Sequence, residues 1–261
     1  MIDLSLIWIL IIGLGVLIYV VLDGFDLGIG ILFPFISDRQ ERDVMMNTVA
    51  PVWDGNETWM VLGGAGLFAA FPLVYSTVLS ALYMPIILMV IALIFRGVAF
   101  EFRFKANKTK HLWDQAFIWG SILSSFLQGV ILGAYIQGIE TTNGIYTGGG
   151  LDWLTPFSLF TGISVVVLYA TLGCGWLIFK TEKMLQNRMF ELMPKLLISL
   201  LMIFVCVSIY TPLAHPQIAE RWFSQPQLFY FSPVPVLVLL FTFLAIKACK
   251  QRKEFLPFIY T

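Results

Sequence analysis

The stretch LIWILIIGLGVLIYVVLDGFDLGIGILFPFI, residues 6–36, decides the fold. Its only charges are Asp23 and Asp26. It exceeds the roughly 20 residues that take a helix across about 30 Å of hydrocarbon. It does not read as a secretory leader: Asp3 is the only charge before Asp23, and no small-residue cleavage pattern follows. Similar apolar blocks recur at 59–78, 82–102, 113–139, 155–179, 194–211 and 234–248, so the expectation is an all-α polytopic transmembrane protein of about seven spans. The whole 261-residue chain agrees, being 59% hydrophobic and 12% charged with a mean hydropathy of +0.85. A soluble domain is usually about 45–50% apolar and about 25% charged.

The connecting segments orient these spans. Arg39 and Arg42 follow the first span, and Arg103, Lys105, Lys108 and Lys110 follow the third. Lys180, Lys183 and Arg188 follow the fifth, and Lys250, Arg252 and Lys253 the seventh. Segments after the second, fourth and sixth carry almost no cations, Arg221 being the exception. Cations gather on the cytoplasmic side, which places the N-terminus outside. The polar segment 37–57 is expected to hold a short surface helix. The chain has 16 basic and 16 acidic residues. That balance argues against nucleic acid as a partner, because no cationic surplus exists to meet phosphate. Cys174, Cys206 and Cys249 form no CxxC pair and read as small buried apolar residues. The two histidines, His111 and His215, fall between helices.

Charges at membrane depth are costly and mark polar contacts or pathways. Asp23 and Asp26 are three apart and share a helix face. They read either as a proton-relay pair or as capping and packing groups. The glycines among them, Gly24, Gly28 and Gly30, permit close helix approach or a local break, and the run 23–30 is expected to distort the helix. They are no nucleotide loop, since no strand precedes them. Arg96 needs a partner, with Asp23, Asp26 and Glu101 as candidates by depth. Glu101 and Arg103 could equally snorkel to the interface. Trp53, Asp54, Asn56 and Glu57 stand at the entrance of the second span, where Asp54 or Asn56 would cap the helix. They read as an anchor with a cap, or as the mouth of a proton path. Gln128 reads as an interhelical hydrogen-bonding group.

Several runs resemble subunit II of the cytochrome bd-type quinol oxidases, including the cyanide-insensitive relatives. They are Asp23-Gly24-Phe25-Asp26-Leu27-Gly28, the peculiar 47–59 run NTVAPVWDGNETW, Phe68-Ala69-Ala70-Phe71-Pro72, and FRGVAFEFR at 95–103. Gly175-Trp176-Leu177 with Lys180-Thr181-Glu182 is a weaker match. The resemblance implies an N-terminal four-helix bundle over 1–140 and a second, incomplete bundle over 141–261. It implies a haem-bearing subunit I as partner, membrane lipid around both, quinol as the substrate of the complex, and room for a small accessory subunit. Two b-type haems and one d-type haem, or a b-type replacement, would sit in subunit I, with none bound by this chain. A structural quinone is a further expectation. Asp54 and Glu57 would stand near the entrance of a cytoplasmic proton route, with Asp23 and Asp26 farther along. Arg96 is similar to an arginine tied to haem-site integrity, with Trp53 and Glu101 beside it as structural and charge partners. The implied location is a bacterial or archaeal plasma membrane. Family members continue through roughly two more helices, so 254–261 reads as the approach to another span of a C-terminally short form. A purely structural partner subunit and a secondary transporter are the rival readings.

Overall fold

The computed structural model describes residues 3–214 and 216–261, so His215 lies outside the described residues. Helix α1, Leu4–Leu32, starts where the Asp3 carboxylate accepts the Ser5 amide at 3.0 Å. It continues without interruption through the glycine-containing run and tightens only at the end, into a 3₁₀ turn at Phe33–Phe35 around Pro34. The expected distortion at 23–30 is absent: packing on both sides holds the glycines in helical geometry. The surface helix α2, Arg39–Asn47, is capped by Asp38, whose carboxylate accepts the Glu41 amide at 2.9 Å.

The second expected span is re-divided. Helix α3 covers Trp53–Ala70, and α4 covers Pro72–Phe102. Pro72 has no N–H and pushes Phe71 out of the helical region, to φ −136° and ψ 62°. A continuous 59–78 span therefore cannot form. Within α4, Leu82 leaves helical geometry (φ −117°, ψ 17°) because Pro85, one turn on, cannot donate to the carbonyl of Ala81. The third expected span begins at that kink. Neither Asp54 nor Asn56 caps α3; its cap position is Val52, with no side-chain bond.

Helix α5, Lys110–Gln137, is followed by a small hairpin, β1 Thr141–Thr142 and β2 Ile145–Tyr146. Its turn is Asn143-Gly144, both with positive φ, as a tight right-twisted hairpin requires. Helices α6, Pro156–Lys180, and α7, Lys183–Ala214, come next. The sixth expected span thus begins about three turns earlier than its apolar block. The short helices α8, Pro216–Phe223, and α9, Gln227–Phe231, lead to α10, Pro233–Lys250, and to α11, Leu256–Ile259. Among the described residues six helical stretches are long and apolar enough to cross a membrane. Helix α3 is not one of them, because its first turns carry Asp54, Asn56 and Glu57.

The chain forms two compact units, Met1–Gly173 and Cys174–Thr261. In the first, the N-terminal half of α1 exposes Leu6, Ile9, Leu10, Leu14 and Leu17, whereas Asp23–Phe33 is buried throughout. Gly28 lies against the backbone of Tyr169 and Gly173 on α6, so close that any side chain would strike the Tyr169 carbonyl. The second unit has an aromatic cluster in which Trp176 and Phe179 meet Phe258 and Phe255 at 5.6 and 5.1 Å. Cys174 and Cys249 are buried as expected, but Cys206 is exposed on an apolar helix face.

Candidate functional site

The first unit buries a charged cluster built from three helices. Asp23 and Asp26 stand one turn apart on α1, Arg96 projects from α4, and Asn56 and Glu57 come from the first turns of α3. Asp23, Asp26 and Arg96 are all 0% exposed. The Arg96 Nη1 donates to Asp23 Oδ1 at 2.6 Å, while Nη2 lies 3.7 Å from Asp26 Oδ2 and Nη1 lies 3.8 Å from Glu57 Oε2. Asn56 Nδ2 donates to Asp26 Oδ2 at 2.9 Å. The guanidinium also faces the Phe100 ring at 5.9 Å, and Trp53 stacks on that ring at 5.0 Å and 8°. Asp23 Oδ2, Asp26 Oδ1 and Arg96 Nε and Nη2 are buried with no hydrogen-bond partner.

The cluster holds three carboxyls against one guanidinium. Isolated charges in such surroundings are costly enough that the neutral arrangement is strongly preferred. Two carboxylate oxygens of the cluster, Asp23 Oδ2 and Asp26 Oδ1, are open acceptor positions. Glu57 is the one carboxyl in contact with the outside, its side chain 22% exposed.

Asp23, Asp26, Glu57, Arg96 and Trp53 thus come together. Asp54 stays outside, exposed on the first turn of α3 three residues before Glu57. Glu101 is not a partner of Arg96. Five residues on, it points about 140° away around the helix and faces exposed Lys105 at 3.5 Å.

Two groups escaped the sequence reading. Asn56, expected either as an alternative cap to Asp54 or as part of a proton-path mouth, is the amide that holds Asp26. Arg103 does not snorkel: it is 0% exposed, donates to Asp43 at 2.6 Å and to Asp114, and lies over Phe33 at 5.3 Å. Lys110 joins Asp43 at 2.9 Å and Arg42 joins Asp114 at 3.2 Å, completing a second ionic cluster that ties α2 to α4 and α5. The available signal was spacing, since Arg103 falls seven residues after Arg96 on nearly the same face of α4. In this second cluster burial would raise the Asp43 pKa, but the hydrogen bonds and charges of Lys110 and Arg103 outweigh it and hold the carboxyl below 3.8.

Gln128 makes the interhelical bonds expected of it, to Tyr19 at 2.8 Å and Tyr169 at 2.7 Å. No group of three or more potential metal ligands occurs among the described residues. The carboxyls, amide and guanidinium of the buried cluster are not the histidine, thiolate or methionine donors that hold haem iron, and His111 is exposed at the start of α5. The cluster does not fit a haem, and its chemistry is acid–base chemistry.

Fold and site define a polytopic α-helical membrane protein with a buried acid–base cluster between its first helices. A family model described as cytochrome bd terminal oxidase subunit II matches residues 4–261. The chain belongs to that family. It is similar to the cytochrome bd-I ubiquinol oxidase subunit 2 of Escherichia coli K12, 34% identical over 197 residues covering 71% of this chain and 51% of the relative. It is also similar to the cytochrome bd ubiquinol oxidase subunit 2 of Bacillus subtilis, 30% identical over 252 residues covering 95% and 72%. Among solved structures, a chain of the bd oxidase from Geobacillus thermodenitrificans shares the fold with a TM-score of 0.82 at 17% identity, over 99% of this chain and 80% of that one. The chain spans about half the length of the first curated relatives it matches.

Proposed function

We propose that this chain is the haem-free second subunit of an inner-membrane quinol:O₂ oxidoreductase, and that its buried cluster delivers cytoplasmic protons toward the oxygen-reducing site of a haem-bearing partner. Family membership supports the first part, since relatives are named as subunits of ubiquinol oxidases. The observation that carries the second part is the set of three carboxyls around one buried guanidinium, only one of them reaching the outside. Asp54 and Glu57 collect protons at the α3 entrance. Glu57 passes them to Asp23 and Asp26, and Arg96 keeps the negative forms from being prohibitively costly. In the complex the partner's haems supply the redox chemistry, and quinol is the electron donor. The protons consumed come from the cytoplasm, so turnover generates a proton-motive force without pumping.

The experiment is Asp23→Asn in the assembled membrane complex, assayed by quinol-driven oxygen uptake and by optical haem content. Uptake slowed by about a hundredfold or more with intact haem is expected, the scale of a lost proton-transfer group. Unchanged uptake would sink the proton role of Asp23. Loss of haem with activity would support the rival reading of a structural partner subunit.

A further inference from the structure

A chain of buried and half-buried polar side chains lies on the α5 and α6 side of α1, one turn from Asp23. The Tyr169 hydroxyl donates to Gln128 Oε1 at 2.7 Å, and Gln128 Nε2 donates to the Tyr19 hydroxyl oxygen at 2.8 Å and to Ser124 Oγ at 3.3 Å. Tyr19 and Tyr169 are 6% and 2% exposed. Tyr19 stands one turn before Asp23 on α1, on the same face of the helix. Every hydrogen bond in this chain runs the same way. Because Gln128 meets Tyr19 with its amide nitrogen, the Tyr19 hydrogen is left free for another acceptor, and Asp23 is the carboxyl one turn on along α1. There Oδ1 is taken by Arg96, and Oδ2 is buried with its acceptor position open. The Tyr169 ring is seated against α1 at Gly24, where a methyl group would come within 2.9 Å of it.

We propose that Tyr19, Gln128 and Tyr169 are positioning residues that aim the Asp23 carboxyl and close the proton route on the α5–α6 side. The inference rests on the reading of Asp23 as a proton carrier. Its chemistry follows from the amide. A proton reaching Asp23 could move on through Tyr19 only if the tyrosine released its own proton to the next group. That group presents an –NH₂, which has two donors and no acceptor. Transfer stops there, and the proton stays on the carboxyls facing Arg96. The far end of the amide is held by Tyr169, so turning the Gln128 oxygen toward Tyr19 requires the Tyr169 hydroxyl to change from donor to acceptor at the same time.

The test uses the purified membrane complex carrying Asp23→Asn, Tyr19→Phe or Gln128→Glu, with haem content, kcat and KM for quinol-driven oxygen uptake, and the solvent deuterium isotope effect on kcat. Tyr19→Phe is expected to keep haem and KM, to lower kcat by about tenfold, about 1.4 kcal/mol of barrier for a carboxyl no longer held in its productive orientation, and to raise the isotope effect. A merely structural role would not move the isotope effect. Gln128→Glu is close to isosteric and puts acceptor oxygens opposite Tyr19, so it is expected to lower kcat by a similar factor with haem retained. If Asp23→Asn slows uptake while Tyr19→Phe and Gln128→Glu match the wild type in kcat and isotope effect, the positioning inference is overturned and the proton reading stands. If Asp23→Asn itself is without effect, both fall. Haem lost from Tyr19→Phe and Gln128→Glu would assign the chain to assembly and overturn the inference.

Discussion

Arg96 is fully buried and must satisfy carboxyls on two other helices with one planar fork. Lysine at this position keeps the charge but not the several donors that reach Asp23, Asp26 and Glu57 from one point. Arg96→Leu removes the charge and leaves uncompensated carboxyls in a 0% exposed site. It is expected to cost about 3–5 kcal/mol, read as a lowered Tm of the solubilised complex, with Arg96→Lys in between. Asp43 gives the pH counterpart. Its pKa is depressed in the folded protein, so its contribution is fully present above the ordinary value of 3.8 and is lost as pH falls through the lowered one. Asp43→Asn should therefore lower Tm near neutral pH, and the gap to the wild type should close in acid below about pH 4. A gap that persists at low pH would show that its packing, not its charge, is what matters. The sequence made Asp23, Asp26 and Arg96 legible because ionisable groups inside an apolar run have no innocent explanation. Arg103, Asp43 and Asp114 were hidden because they lie among ordinary loop charges, where only the fold distinguishes a buried pair from a solvated one.

Element boundaries follow from backbone chemistry that hydropathy does not register. An average over 59–78 is apolar throughout, yet Pro72 ends one helix and starts another, and Pro85 fixes the kink at Leu82. Conversely, glycines that could have broken α1 leave it straight-running because they serve contact with its neighbours. Gly28 is the sharpest case, since its neighbour is the Tyr169 backbone carbonyl and cannot swing aside as a side chain could. Gly28→Ala is expected to force α1 and α6 apart and to cost at least the roughly 1–3 kcal/mol of ordinary overpacking, with loss of complex yield. Gly64 in α3 has nothing within 4 Å of where a methyl would stand. Gly64→Ala should be neutral or stabilising by about 0.5–1 kcal/mol, measured by the same melting assay. Equal destabilisation of both variants would mean that glycine at Gly28 is needed for something other than contact.

At the scale of the whole molecule, the second ionic cluster joins topology to function. By binding Asp43 and Asp114, Arg103 and Lys110 hold α2 to the end of α4 and the start of α5. The entrance of α3, with Asp54 and Glu57, follows directly after α2. The acidic entrance and the cationic segment 103–110 therefore lie at one end of the first unit, and whichever side of the membrane receives those cations also receives Asp54 and Glu57. The hairpin at 141–146 and its flanks carry Glu140 and Asp152 but no lysine or arginine. From the distribution of basic residues we propose that the hairpin lies outside and residues 103–110 in the cytoplasm. Single cysteines at Asn143 and at Lys108, both exposed, in a background lacking Cys174, Cys206 and Cys249, test this with a membrane-impermeant maleimide. In intact cells Asn143→Cys should label and Lys108→Cys should not, and permeabilisation should open Lys108→Cys to the reagent. The reverse pattern would turn the acidic entrance outward, and protons drawn through Glu57 would then come from the wrong side to contribute to a proton-motive force.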